Sequence, residues 1–201
     1  MTPWLAVVGL GAYHGLNPAM GWLFAVALGL QERRRGAVVR ALLPIALGHE
    51  ASVGLVVGLV YAAQLVVAAD ALRVLGALAL VAFGVYKLLK PRSHPRWVGM
   101  RVSPWDLVVW SFLMSSAHGA GLMLFPIVVG HADLDGIQAA TALENLLAVS
   151  LHTSAMLATM AAVALLVYEK LGVGVLRKAW LNLDAVWATA IVAAGAVTLF
   201  T

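Results

Sequence analysis

The chain has no cysteine, and this excludes disulfides, thiolate metal sites and thiol nucleophiles. Any metal it handles must be held by nitrogen, oxygen or thioether. Charge is also scarce: 11% of the 201 residues are charged and 63% are hydrophobic, far from the balance of a soluble domain. What remains is an integral membrane protein. At about 20 residues per helical crossing, its apolar runs divide into about six, near 4–30, 41–68, 71–89, 107–130, 138–168 and 179–200. None has the polar–apolar alternation of a barrel strand, so the expected class is an all-α polytopic membrane protein. No basic residue precedes "MTPWLAVVGL" and no small-residue cleavage site stands out, so the first helix is expected to be retained rather than removed as a signal.

The cationic side chains are distributed unevenly. Twelve of the thirteen fall in three alternate connections: Arg33, Arg34, Arg35 and Arg40; then Lys87, Lys90, Arg92, Arg96 and Arg101; then Lys170, Arg177 and Lys178. The other connections hold Arg73, beside Asp70, and the acidic "HADLDG". Cationic span ends are retained in the cytoplasm, so both termini are expected on the non-cytoplasmic side, as for a bacterial inner-membrane protein. The net charge of +4 is explained by this asymmetry, with anionic lipid as its ordinary partner and no nucleic-acid role.

The chain also repeats itself. Span 1 carries "YHGLNPAM" and span 2 "LGHEAS"; span 4 carries "AHGAGLML" and span 5 "SLHTSA". His14 and His49 are 35 residues apart, and His118 and His152 are 34. This predicts a first three-helix repeat over 1–90, a cytoplasmic linker over 91–106 and a second three-helix repeat over 107–201. Three spans per half send the second half into the bilayer from the opposite side, the inverted-repeat plan of secondary transporters. Ser103, Pro104 and Asp106 read as the capped start of span 4.

A rise of about 1.5 Å per residue puts His14, His49, His118 and His152 well inside the hydrocarbon slab at similar depths. A single buried His is ordinarily an interhelical hydrogen bond. Four at repeated positions share a more specific explanation, a transition-metal site or a proton path, because ionisable groups in lipid are costly. In span 1, Gly15 and Pro18 stand between His14 and Met20 and predict a broken helix. An unwound "HGLNP" would turn both side chains toward one point and free carbonyls for a cation; a simple proline kink would leave Asn17 to satisfy the exposed backbone.

Span 5 bears Glu144, Ala148, His152, Met156 and Met160 at four-residue spacing, with Asn145 alongside. The methionines suit packing or soft ligation, and Glu144 suits orienting an imidazole, attracting a cation or lying solvated at the headgroups. Ser111, Ser115 and His118 align on span 4, where small residues equally serve helix packing. Glu50, next to His49, points roughly 100° away from it around the helix and suits a second-shell base or a proton carrier. Asp184 suits either the site or an ion pair with Arg177 or Lys178, and His94 and His131 read as solvated.

"HGLNPAM" followed by "ALLPIALGHEAS" resembles the nickel/cobalt permeases and nickel/cobalt efflux proteins of the lysine-exporter superfamily. Their first motif has His, then Pro or a variable residue four on, and a second His six on. His14 and Pro18 match the efflux form. Ala19 stands where that form has Gly and the permeases have Asp, and Met20 replaces the second His. His49 corresponds to the histidine of the following span. The resemblance covers the first half and reaches the second only through the six-span arrangement. It implies nickel or cobalt as substrate, and Pro18 gives efflux a slight preference over uptake.

The expected function is therefore transition-metal ion transport, with a divalent ion (Ni, Co, Zn, Fe or Cu) at His14, His49, His118, His152 and Met20, and with Asn17, Glu50, Glu144 and Asp184 orienting or proton-linked. The alternative is a membrane-embedded metalloenzyme holding one or two metals permanently on the same histidines and carboxylates. A third reading is a metal-free small-solute exporter using His and Glu as proton relays. The expected partners are the lipid bilayer and the metal ion, with a homo-oligomer left open.

Overall fold

The apolar runs fold as helix, interrupted after Leu16, where Asn17 and Pro18 follow, and after His118, where Gly119 follows. A computed structural model describes residues 3–64, 66–90, 102–125, 138–171 and 183–200. The helices are α1 (Pro3–Leu16), α2 (Trp22–Glu32), α3 (Arg35–Gln64), α4 (Ala69–Leu89), α5 (Pro104–His118), α6 (Gln138–Leu166) and α7 (Leu183–Phe200). Two 3₁₀ turns, Pro18–Met20 and Leu122–Leu124, follow α1 and α5, and a π-helical turn, Val167–Leu171, ends α6. His94, His131, Arg177, Lys178 and linker residues 91–101 lie outside the described residues.

Three stretches are long and apolar enough to cross a membrane by length and composition: Arg35–Gln64, Asp70–Leu89 and Leu143–Lys170. Trp4–Leu16, Trp22–Glu32 and Ala188–Leu199 are shorter apolar helices. Burial runs opposite to that of a water-soluble bundle. Leu43, Leu47, Leu55 and Leu59 lie outward on α3 at more than half exposure, while His14, His49, His118 and His152 are at most 1% exposed. Leucine outside and imidazole inside is the arrangement lipid selects.

The chain forms two compact units, each drawn from both halves of the sequence. The first comprises residues 1–51, 96–114 and 150–181. Here α1 lies directly on α6: a Cβ on Gly11 would collide with the His152 carbonyl, and one on Gly15 with the Met156 carbonyl and the Thr159 side chain. Two glycines four apart thus let the backbones meet, the small-xxx-small device of membrane helices. Ser111 Oγ on α5 donates to the Ile45 carbonyl on α3 at 2.6 Å. The core joins Met20, Trp22, Ala25, Val26, Ile45, Leu107, Met156 and Met160.

α5 opens as the sequence predicts. The Ser103 N–H and hydroxyl both donate to Asp106 Oδ2, at 2.8 and 2.7 Å, and Asp106 N–H donates to Ser103 Oγ at 3.2 Å. This reciprocal cap satisfies donors that a helix start leaves open. It also holds the Asp106 carboxyl below its ordinary range, through the Ser103 backbone first and its hydroxyl second.

The second unit comprises residues 52–95, 115–149 and 182–201. α4 and α7 pack along each other, with Gly84 facing Ala188 and Val192, and Gly195 facing Ala77 and Leu80. Ser52 and Ser116 share a hydroxyl hydrogen bond of 2.8 Å.

Candidate functional site

α1 ends at Leu16, two residues beyond His14. Asn17 is extended (φ −70°, ψ 119°) and Pro18 starts the 3₁₀ turn, so helical hydrogen bonding cannot pass through. The chain repairs the interruption itself. Asn17 Oδ1 accepts from Ala19 N–H at 3.0 Å, and Asn17 N–H donates to the His14 carbonyl at 3.1 Å. Trp22 Nε1–H donates to the Leu16 carbonyl at 3.2 Å. Asn17 thus caps the break, and the His14 and Leu16 carbonyls, expected to be free for a cation, already accept bonds. Met20 closes the turn and is 2% exposed.

Within the first unit the structure brings together three of the four predicted histidines. Ring centroids are 4.8 Å apart for His14 and His152, 5.3 Å for His14 and His49, and 5.6 Å for His49 and His152. The first two pairs meet edge to face, at 79° and 70°, and the third is near-parallel at 13°. Three helices supply them, α1, α3 and α6, and the Gly11 contact at His152 brings α1 close to α6 at this level.

His14 Nδ1 lies 3.1 Å from the Leu10 carbonyl. A carbonyl only accepts, so Nδ1 carries the hydrogen, and in the neutral ring Nε2 keeps its lone pair. This is how backbone carbonyls orient imidazole ligands. The His152 ring has the Val7 backbone beside it, at a geometry outside a strict hydrogen bond, and the adjacent Thr153 hydroxyl is buried without a partner. Buried polar atoms left this way are costly.

The rings do not form a finished metal centre. Among the described residues no three His, Cys, Asp or Glu side chains already converge as a ligand set. Ligand nitrogens sit about 2.0–2.1 Å from a transition metal, and the donors of these rings do not meet that arrangement as they stand.

The other predicted residues are placed differently. His118 ends α5 in the second unit and is buried. Glu50 follows His49 on α3 and is half-buried; Glu144, on α6 in the second unit, is half-buried too. Asp184 lies in the first turn of α7, but its side chain is outside the described residues. Among the residues whose side chains are described, no carboxylate is buried.

No family model, curated protein or solved structure matches the chain. The site's geometry therefore carries the functional argument.

Two features escaped sequence reasoning. The Gly11–Gly15 pair was visible as a spacing, though its partner helix was not. The second was an interruption after His118, where Gly119 takes φ +70° and a 3₁₀ turn follows at Leu122. The signal was Gly119 and Gly121 flanking one alanine, with no proline to announce it.

Proposed function

We propose that this protein is a transition-metal ion transporter whose ion site is the buried trio His14, His49 and His152. In this reading six crossings form two inverted three-helix repeats, with both termini on the non-cytoplasmic side. The observation that carries it is the trio itself: three imidazoles from three helices, within 5.6 Å of one another and sealed from solvent. Imidazole is a nitrogen ligand for transition metals, and its burial in apolar surroundings has a reason when an ion passes.

Three further features support transport. The His-Gly pairs at 14–15 and 118–119 both stand at helix interruptions followed by a 3₁₀ turn, as discontinuous helices do around transporter sites. The resemblance of "HGLNPAM" to nickel/cobalt efflux proteins adds a slight preference for efflux. A resident metal in an enzyme would be better served by buried carboxylates, and the described side chains include none.

The direct experiment is metal analysis of the detergent-purified protein after incubation with each of Ni(II), Co(II), Zn(II) and Cu(I), before and after dialysis against a chelator. The expected result is about one ion per chain that the chelator removes, lost in His152→Ala. Binding of no ion by the parent, or equal binding by His152→Ala, would contradict the reading.

A further inference from the structure

The donor set below and around the trio differs from a divalent-metal site in two respects, its charge and its softness. Met20, Met156 and Met160 are at most 2% exposed and belong to the same buried cluster of the first unit. His152, Met156 and Met160 follow one another at four-residue spacing along α6, and α1 is pressed onto that stretch where Gly15 meets the Met156 carbonyl and the Met160 amide. The sequence has seven methionines, and three of them share this buried cluster, two of them on α6 within eight residues of His152.

The carboxylates of this unit are elsewhere. Glu32 pairs with Arg40 at 2.7 Å and Glu169 with Arg35 at 3.2 Å, both on exposed surface. Asp106 is exposed in the α5 cap, and Glu50 is half-buried. The buried polar and sulfur-bearing side chains described in this unit are therefore imidazoles, thioethers, the Ser111 and Thr153 hydroxyls and the Asn17 amide, none of them anionic. The cost of bringing an ion out of water rises with the square of its charge, so a dipositive ion costs about four times a monopositive one of equal size. With no buried carboxylate among the described side chains to offset it, this charge term disfavours a divalent ion. Softness acts in the same direction, because thioethers select Cu(I) and its congeners while imidazole accepts them as well. A closed-shell monovalent ion is also content with about two or three donors, whereas Ni(II) asks for a fuller shell.

We propose that the ion taken by this site is soft and monovalent, Cu(I) or Ag(I), held first by His14, His49 and His152 and passed along the Met20, Met156 and Met160 thioethers. The proposal rests on the metal-transport reading and narrows it. It also gives Met20 a role: where the resembling family carries a second histidine, this chain carries a thioether, and the preference moves from nickel or cobalt to a softer ion.

The test uses the full chain in detergent without oxygen. Cu(I) is supplied with excess ascorbate and its affinity read by competition with a chromogenic Cu(I) chelator; Ag(I), Ni(II), Co(II) and Zn(II) are read by equilibrium dialysis. Parent protein is expected to bind Cu(I) and Ag(I) at least about 100-fold more tightly than Ni(II) or Co(II). Met156→Leu and Met160→Leu, close to volume-conserving, are expected to leave helicity and melting nearly unchanged while weakening Cu(I) about tenfold. They should also reduce sulfur scattering in the Cu(I) X-ray absorption spectrum. Met20→His is expected to raise Ni(II) or Co(II) binding relative to Cu(I). Divalent ions bound as tightly as Cu(I), or methionine variants with parental Cu(I) affinity and sulfur signal, would overturn this inference and leave the metal reading standing. Failure to bind any of the five ions would overturn both.

Discussion

His14 shows how much of a site one residue can encode. Its position after Gly11 and before Gly15 puts the ring at a place where α1 touches α6, and Leu10, one turn earlier, fixes its tautomer. The ring's burial was foreshadowed by its place in an apolar run; its partner carbonyl was not, because any helical His has an i−4 carbonyl and many do not use it. Trp22 was illegible for a related reason: its bond to Leu16 exists only because the chain turns between them. Asp106 was the most legible residue, since a cap is local in sequence. Its folded carboxyl lies below the ordinary value of 3.8, so the cap's contribution is complete above that value and is lost as pH falls through the folded one. Amide exchange at the start of α5, corrected for intrinsic rates, is expected to lose protection between pH 6 and pH 3. Asp106→Asn should be less protected at pH 6 and respond less to acid. Equal protection in both proteins at both pH values would show that the cap does not hold this end.

At the scale of elements, the interruption of span 1 was readable and that of span 4 was not. Pro18 removes a donor and restricts the residue before it, and with Gly15 and Asn17 beside it the span breaks there, whereas Pro44 lies inside the continuous α3. Gly119 merely permits φ +70°, and whether permission is used depends on the packing around it, here the Phe83 ring. The α1–α6 contact makes a prediction at this scale. Gly15→Ala inserts a methyl against the Met156 carbonyl and is expected to cost about 1–3 kcal/mol, read as a lower melting temperature in detergent. Gly9 has nothing within 4 Å of a built Cβ, so Gly9→Ala should melt at or slightly above the parent temperature. A Gly15→Ala protein as stable as Gly9→Ala would mean that α1 and α6 are not in backbone contact, and the imidazole trio would lose its support.

At the scale of the whole molecule, composition pointed to a helical chain, because a 63% hydrophobic sequence with so few charges is far from the balance of a soluble domain, and three of its helices are long and apolar enough to cross a membrane. The histidine set was legible as a recurrence of spacing, 35 and 34 residues, but spacing does not say which rings meet. Contact between His14, His49 and His152 depends on the angles at which three helices pack, and these are set by glycine approaches distributed along the chain. The central claim is that this trio passes an ion through the membrane. It is tested most directly by ion flux into sealed vesicles holding the purified protein, with Ag(I), Ni(II), Co(II) and Zn(II) each offered outside and a metal-responsive dye inside. The account predicts flux of at least one of these ions, reduced about tenfold or more in His14→Ala, His49→Ala and His152→Ala, each verified as folded, and retained in His94→Ala. Flux equal to that of protein-free vesicles for every ion, or unchanged in all three trio variants, would contradict it.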